Sequence, residues 1–129
     1  MTIGQIRKDH KKYIHFDSLT HHNQTPLLDC DVLLCHILKK NRSFLMAHDE
    51  IQLNENQFNL FLEYCKIRST GYPIAYITNN KEFYGYEFYV NQDVLIPKPD
   101  TEILVEKGID SIIKNNYQSI ADICTGSGC

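Results

Sequence analysis

Apolar positions along the first part of the chain fall at helical spacing. Ile3, Ile6, Tyr13 and Ile14 recur near the 3.6-residue period and predict an amphipathic helix over residues 3–16. The polar stretch at 21–26, His-His-Asn-Gln-Thr-Pro, reads as a loop. Its last two residues, Thr25 and Pro26, suit an N-cap and a first helical position. Leu27, Leu28, Val32, Leu33, Leu34, Ile37 and Leu38 then form a wide apolar face, and Lys39, Lys40 and Arg42 close it where cations suit the helix dipole. Ser43 is placed to cap a short helix through His48. Asn54 with Gln57 matches a capping box ahead of Phe58, Phe61, Leu62, Cys65 and Ile67. Gly71 can take the left-handed conformation at that helix's end, and Pro73 blocks continuation. Four helices on short connections predict a small helical bundle over residues 1–71.

Beyond Pro73 the period changes. Ile74 to Ile77 reads as a short extended segment. Residues 81–90, Lys-Glu-Phe-Tyr-Gly-Tyr-Glu-Phe-Tyr-Val, are aromatic-rich around Gly85 and predict a hairpin or paired strands. Residues 95–100 form a stiff connector, because Pro97 and Pro99 both fix φ. Asp100 or Thr101 then caps a helix through about Lys114, with Ile103, Leu104, Val105, Ile109, Ile112 and Ile113 as its apolar set. Residues 119–123 read as a strand entering the turn Cys-Thr-Gly-Ser-Gly-Cys. Helix, strand and glycine turn in that order open a parallel α/β sheet. A lone parallel strand is not a stable sheet, so its partners are expected in a longer natural chain or another molecule. Without them the helix over 103–113 is expected to expose its apolar face. The tail is then expected to be mobile, docked on a neighbour or domain-swapped.

Composition narrows the class only a little. Hydrophobic residues make up 43% and charged residues 22% of the 129, ordinary for a globular protein. No apolar run reaches the ~18 residues of a membrane span, and the basic first residues precede no signal-like segment. A cytoplasmic location with no membrane partner is the expectation. The net charge of −3 is uneven: residues 1–42 hold seven Lys/Arg against four Asp/Glu, residues 43–129 six against twelve. Neither part calls for direct nucleic-acid binding. The five cysteines lack the spacings of structural zinc sites, and His21-His22 has no cysteine beside it, so neither a metal site nor disulfides are expected.

Three stretches can carry chemistry. In the segment from Asp122 through Cys129 a glycine pair follows the expected strand, where backbone without Cβ can approach a ligand and a helix N-terminus would favour an anion. By itself this fits a nucleotide, S-adenosylmethionine or a plain strand-to-helix turn. The aromatic stretch 76–89 suits base stacking if exposed, but the acidic balance around it favours packing on a neighbouring domain. The third stretch, 96–106, sets two prolines beside an acid-capped helix, as a rigid loop over a pocket or as a capped linker.

Taken in order, Pro-Ile-Ala-Tyr-Ile-Thr (73–78), Lys-Glu-Phe-Tyr-Gly (81–85), Ile-Pro-Lys-Pro-Asp-Thr-Glu (96–102) and Thr-Gly-Ser-Gly (125–128) closely resemble the release-factor glutamine methyltransferases of the HemK/PrmC type. Residues 27–50 also look like that family's helical domain, and the match is weakest over 1–25. The resemblance implies a mainly α bundle for substrate recognition over residues 1–73 and a β-hairpin connector over 74–95. It implies the incomplete start of a Rossmann-like α/β domain over 96–129. It further implies methyl transfer from S-adenosylmethionine to the side-chain amide of the Gly-Gly-Gln glutamine in class-1 peptide chain release factors. Asp122, Cys124, Thr125, Gly126, Ser127 and Gly128 would then hold the cofactor. Ile96, Pro97, Lys98, Pro99, Asp100, Thr101 and Glu102 would edge the pocket.

The sequence departs from that pattern in places. Asn79 and Cys124 stand where the family usually has Gly, and Lys98 replaces an Arg, keeping charge without the planar fork. The family's Asn-Pro-Pro-Tyr motif, which positions the glutamine amide, and the acidic residue for the cofactor ribose do not occur in the 129 residues. No catalytic residue is therefore assigned, and a fragment inactive by itself is expected. A non-catalytic helical module that binds a protein partner, and a methyltransferase acting on a ribosomal-protein glutamine, are the alternatives.

Overall fold

The computed structural model describes residues 1–16 and 25–129; the His21-His22 pair lies outside the described residues. The chain divides into two compact units, Met1–Thr78 and Asn79–Cys129.

The described residues of the first unit hold α1 (Ile3–Lys8), α2 (His10–Tyr13), α3 (Pro26–Leu38), α4 (Arg42–Ala47), α5 (Glu55–Ser69) and α6 (Ile74–Thr78). Thr2 and Gln5 close a capping box at the start of α1, and Asn54 and Gln57 close the expected one on α5. Pro26 opens α3 at its first turn, although the Thr25 side chain makes no capping bond. The core gathers Ile3, Ile6, Ile14, Leu33, Leu34, Leu45 and Phe61, all at most 1% exposed, with Cys30 and Cys65 beside them. The Tyr13 ring stands edge-on to Phe58 and Phe61.

Three sequence expectations need correction in this unit. Residues 3–16 are two short helices that break at Asp9, where Lys12 N–H turns to Asp9 O and the His10 ring nitrogen Nδ1 lies 2.8 Å from Arg7 O; the start of the first is held from outside. Ile3 N–H donates to Ile51 O and Gly4 N–H to Asp49 O, while Thr2 bridges Gln52. An added Cβ at Gly4 would meet Asp49 Cβ at 3.0 Å, so glycine permits that approach. The cap of α4 is Asn41 rather than Ser43; its side chain accepts from Phe44 N–H at 2.9 Å. Residues 74–77 are helical, not extended. Tyr76 and Ile77 N–H both donate to Pro73 O, Thr78 Oγ1 donates back to Ile74 O, and Ile74 and Ile77 pack on the core. A fixed proline φ suits a first helical turn, and burial outweighs the β preference of the two isoleucines.

Two acidic side chains are buried in α3, and both are paired. Asp31, fully buried, accepts from Arg7 Nε at 2.7 Å and from Arg42 Nε at 2.9 Å, tying α1 and α4 to α3. Asp29 accepts from Arg68 Nε at 2.8 Å. The Arg68 guanidinium also lies over the Phe16 ring, 4.6 Å from its centroid. Charges taken out of water must be paired in this way, and among the described residues every buried side-chain nitrogen or oxygen has a partner.

The second unit begins with the antiparallel hairpin of β1 (Asn80–Phe83) and β2 (Tyr86–Tyr89), in register from Asn80 opposite Tyr89 to Phe83 opposite Tyr86. Tyr84 and Gly85 form its turn, both with positive φ (51° and 77°), as a two-residue hairpin loop requires. Asn79 has φ 52°, a value asparagine tolerates better than most residues. Its side-chain amide donates to Val90 O at 3.0 Å, closing the open end of the hairpin. A 3-10 turn at Pro99–Thr101 leads into α7 (Glu102–Asn115). Residues 119–123 are not a strand. Extended backbone needs a paired neighbour, and the described residues offer no third strand. For the same reason α7 buries none of its residues: Ile103, Leu104 and Ile113 are each more than 60% exposed.

Candidate functional site

An open groove of about 750 Å³ lies within the second unit, between α7 and residues 120–129. The sequence positions both walls. Along α7 the helical period turns Leu104, Val105, Ile109 and Ile112 toward it, and Gly108 leaves that wall low. Opposite stands the glycine turn. Cys124, Gly126 and Gly128 all have positive φ (67°, 59° and 86°), and Gly128 N–H donates to Thr125 O at 3.0 Å. A Cβ added at Gly126 would meet nothing nearer than Cys124 O at 4.0 Å, and one at Gly128 nothing within 4 Å. The glycines therefore answer a backbone requirement and leave open space beside it, rather than accommodating crowded protein atoms. Cys124 adopts the same left-handed region, where a side chain costs on the order of 1 kcal/mol.

The residues singled out from sequence sort cleanly by position. Asp122, Cys124, Thr125, Gly126 and Ser127 line the groove, as do Ile96, Pro97, Lys98 and Thr101. Gly128 belongs to the turn but does not line the groove. Pro99 and Asp100 form the exposed 3-10 turn and do not line the groove. Pro97 is the one buried residue of the loop. Glu102 faces away from the groove: its Oε1 accepts from Tyr84 N–H at 3.0 Å, linking the first turn of α7 to the hairpin turn. Sequence reading gave Glu102 to the pocket edge and missed this contact, which joins residues eighteen apart and leaves no local signature.

The cysteines differ in setting. Cys30 and Cys65 are buried; the hydrogen bond with Cys30, and then burial, push the Cys65 thiol far above its ordinary range. Burial also raises the half-buried Cys35. Cys124 and Cys129 are exposed, and both line the groove. Ser127 Oγ donates to Cys129 Sγ at 3.4 Å. The described residues hold no cluster of three or more His, Cys, Asp or Glu able to bind a metal. No helix among them is long and apolar enough to cross a membrane.

Residues 16–78 match the family model of the PrmC N-terminal domain. The chain is also similar to release factor glutamine methyltransferases from several bacteria. It is 46% identical to that of Clostridium acetobutylicum over 100 residues, covering 78% of this chain and 35% of the relative. It is 47% identical to that of Coxiella burnetii over 110 residues, covering 85% and 40%. It is 42% identical to that of Buchnera aphidicola over 123 residues, covering 95% and 42%. The chain thus spans about two fifths of the length of these curated relatives. On the domain match and these identities together, the chain belongs to the release factor glutamine methyltransferase family.

Proposed function

We propose that the second unit holds S-adenosylmethionine and that the helical unit recognises a class-1 peptide chain release factor. The reaction served is methylation of the side-chain amide of the Gly-Gly-Gln glutamine, in the cytoplasm. The observation that carries the cofactor reading is the glycine turn. Cys124, Gly126 and Gly128 are all left-handed, a Cβ at either glycine would meet open space, and Cys124 and Gly126 line a groove that also takes in Pro97, Lys98 and Thr101. Asp122, Cys124, Thr125, Gly126, Ser127 and Gly128 would hold the cofactor by close backbone approach, with Ile96, Pro97, Lys98 and Thr101 at the pocket's edge. When bound, S-adenosylmethionine supplies an electrophilic methyl group. In this reading residues 96–129 belong to a Rossmann-like α/β domain.

An amide nitrogen is a weak nucleophile, so its orientation toward the methyl is what catalysis must supply. The Asn-Pro-Pro-Tyr motif expected to do this is not among the 129 residues. The chain by itself is therefore proposed to transfer no methyl group and to bind the cofactor weakly.

The helical unit has a full core and paired buried charges of its own, which supports its acting as a docking module before any chemistry. The test is a pull-down of a class-1 release factor with the purified chain, with S-adenosylmethionine titrated calorimetrically into the same sample. Capture of the release factor with weak or undetectable cofactor heat supports recognition by the helical unit. Failure to capture overturns that assignment, and detectable methyl transfer by the 129-residue chain overturns its proposed inactivity.

A further inference from the structure

Five cysteines are present, and two of them carry thiols that no step of the proposed reaction uses. Cys124 and Cys129 are both exposed, line one groove and flank one turn. That turn is closed between them by the Gly128 N–H to Thr125 O bond, 3.0 Å. Such a closure holds the Cα atoms of Thr125 and Gly128 within about 7 Å of one another, and the two cysteines lie one residue outside it on either side. A short disulfide needs Cα atoms about 4.4–6.8 Å apart and enough backbone freedom to set its dihedral. Gly126 and Gly128, neither crowded by neighbouring atoms, supply that freedom. The Ser127 hydroxyl donates to Cys129 Sγ at 3.4 Å, which holds that sulfur beside the turn.

We infer that Cys124 and Cys129 form an oxidative modification site, at which a hydroperoxide drives an intramolecular disulfide across the glycine turn. The Cys129 thiolate attacks the outer peroxide oxygen and the O–O bond breaks. Sulfur becomes a sulfenic acid, and the other oxygen leaves as water or an alcohol after taking a proton. The Cys124 sulfur then attacks the sulfenic sulfur, the S–O bond breaks, and hydroxide leaves with the Cys124 proton as a second water. The peroxide is reduced by two electrons and the two thiols are oxidised by two, so the sequence balances. Cys30 and Cys65, buried in the helical unit, lie outside this chemistry. That the bridge would also alter cofactor binding rests on the S-adenosylmethionine reading; formation of the bridge does not.

The experiment treats the full 129-residue chain with hydrogen peroxide, blocks remaining thiols, and digests with trypsin. Cleavage after Lys114 releases residues 115–129, a peptide holding Cys124 and Cys129 and no other cysteine. The expected result is a peptide lighter by two hydrogen atoms, refractory to alkylation and restored by a thiol reductant, from a chain that stays monomeric. In Cys124→Ser, Cys129 is expected to trap as a sulfenic acid that reacts with dimedone. In Cys129→Ser, Cys124 is expected to stay largely reduced. Independent over-oxidation of both thiols, or disulfides only between chains, would overturn the proposal. If the bridge forms and titrated S-adenosylmethionine binds equally well before and after, the modification site stands and its link to the cofactor fails.

Discussion

The Glu102 carboxylate accepts a hydrogen bond from the Tyr84 backbone N–H at 3.0 Å, so the first turn of α7 holds the tip of the hairpin. Tyr84 is itself left-handed, with φ 51°, and a backbone held in that region persists only when its surroundings fix it. The contact is solvent-accessible, so it contributes about 0.5–1.5 kcal/mol. Glu102→Ala is expected to speed hydrogen exchange at the Tyr84 amide severalfold. Glu102→Gln keeps an acceptor oxygen in place and should restore most of the protection. Equal exchange in all three proteins would mean that the turn holds its shape unaided.

Asp31 organises the helical unit differently, as one fully buried carboxylate shared by Arg7 and Arg42. Its hydrogen bond also holds the Arg7 guanidinium charged beyond its ordinary range. Removing one member of a fully buried pair costs about 3–5 kcal/mol. Here both arginines reach solvent and can rehydrate, so Asp31→Ala is expected to cost about 2–3 kcal/mol. Urea unfolding followed by circular dichroism checks this, with a lower midpoint and an unchanged slope. A midpoint shift worth under about 0.5 kcal/mol would reduce the network to a surface ornament.

Lys39 ends α3 in the left-handed conformation, φ 53° and ψ 43°, and its N–H donates to Cys35 O. Glycine takes this position without the Cβ penalty. Lys39 is exposed, so little packing is lost with its side chain. Lys39→Gly is expected to raise stability by about 0.5–1 kcal/mol, visible as a thermal midpoint a few degrees higher. A lower midpoint would show that the lysine charge at the helix end outweighs its backbone strain.

Local signals read from the sequence carried over well where the physics is local. The Asn54–Gln57 capping box, the Pro26 start of α3 and the hairpin around Gly85 each rest on residues within a turn of one another. So do the positive φ of Asn79 and of Gly71. Much of what escaped reading depends on residues far apart in sequence, although the Asn41 cap of α4 is a local exception. The anchoring of the N-terminus follows from hydrogen bonds between residues 3–4 and 49–51. The helical state of Ile74–Thr78 follows from burial of Ile74 and Ile77 against the core. A strand at 119–123 was legible as a pattern, yet a strand exists only with a partner. Of the candidate site, the backbone freedom of Gly126 and Gly128 could be read directly. The Glu102–Tyr84 contact and the Ser127–Cys129 contact could not.

His36 supplies the pH dependence. It lies half-buried on α3, its ring 6.1 Å from that of Tyr64 on α5. Burial first, and then the charge of Lys39, lower its pKa below the ordinary 6.5. The unfolded chain therefore takes up a proton at this site before the folded chain does. In that interval the unfolded state binds more protons, so folding stability from this residue falls as pH drops below about 6.5 and levels off under the folded value. Replacing the residue by His36→Gln removes the titration while the other histidines remain as internal controls. Stability of the unmutated chain relative to His36→Gln is thus expected to decline between about pH 7.5 and pH 5. Parallel stability curves for the two proteins over that range would show that His36 is as well hydrated folded as unfolded. A relative gain on acidification would require a carboxylate partner that raises the histidine's pKa, the reverse of what burial beside Tyr64 and Lys39 imposes.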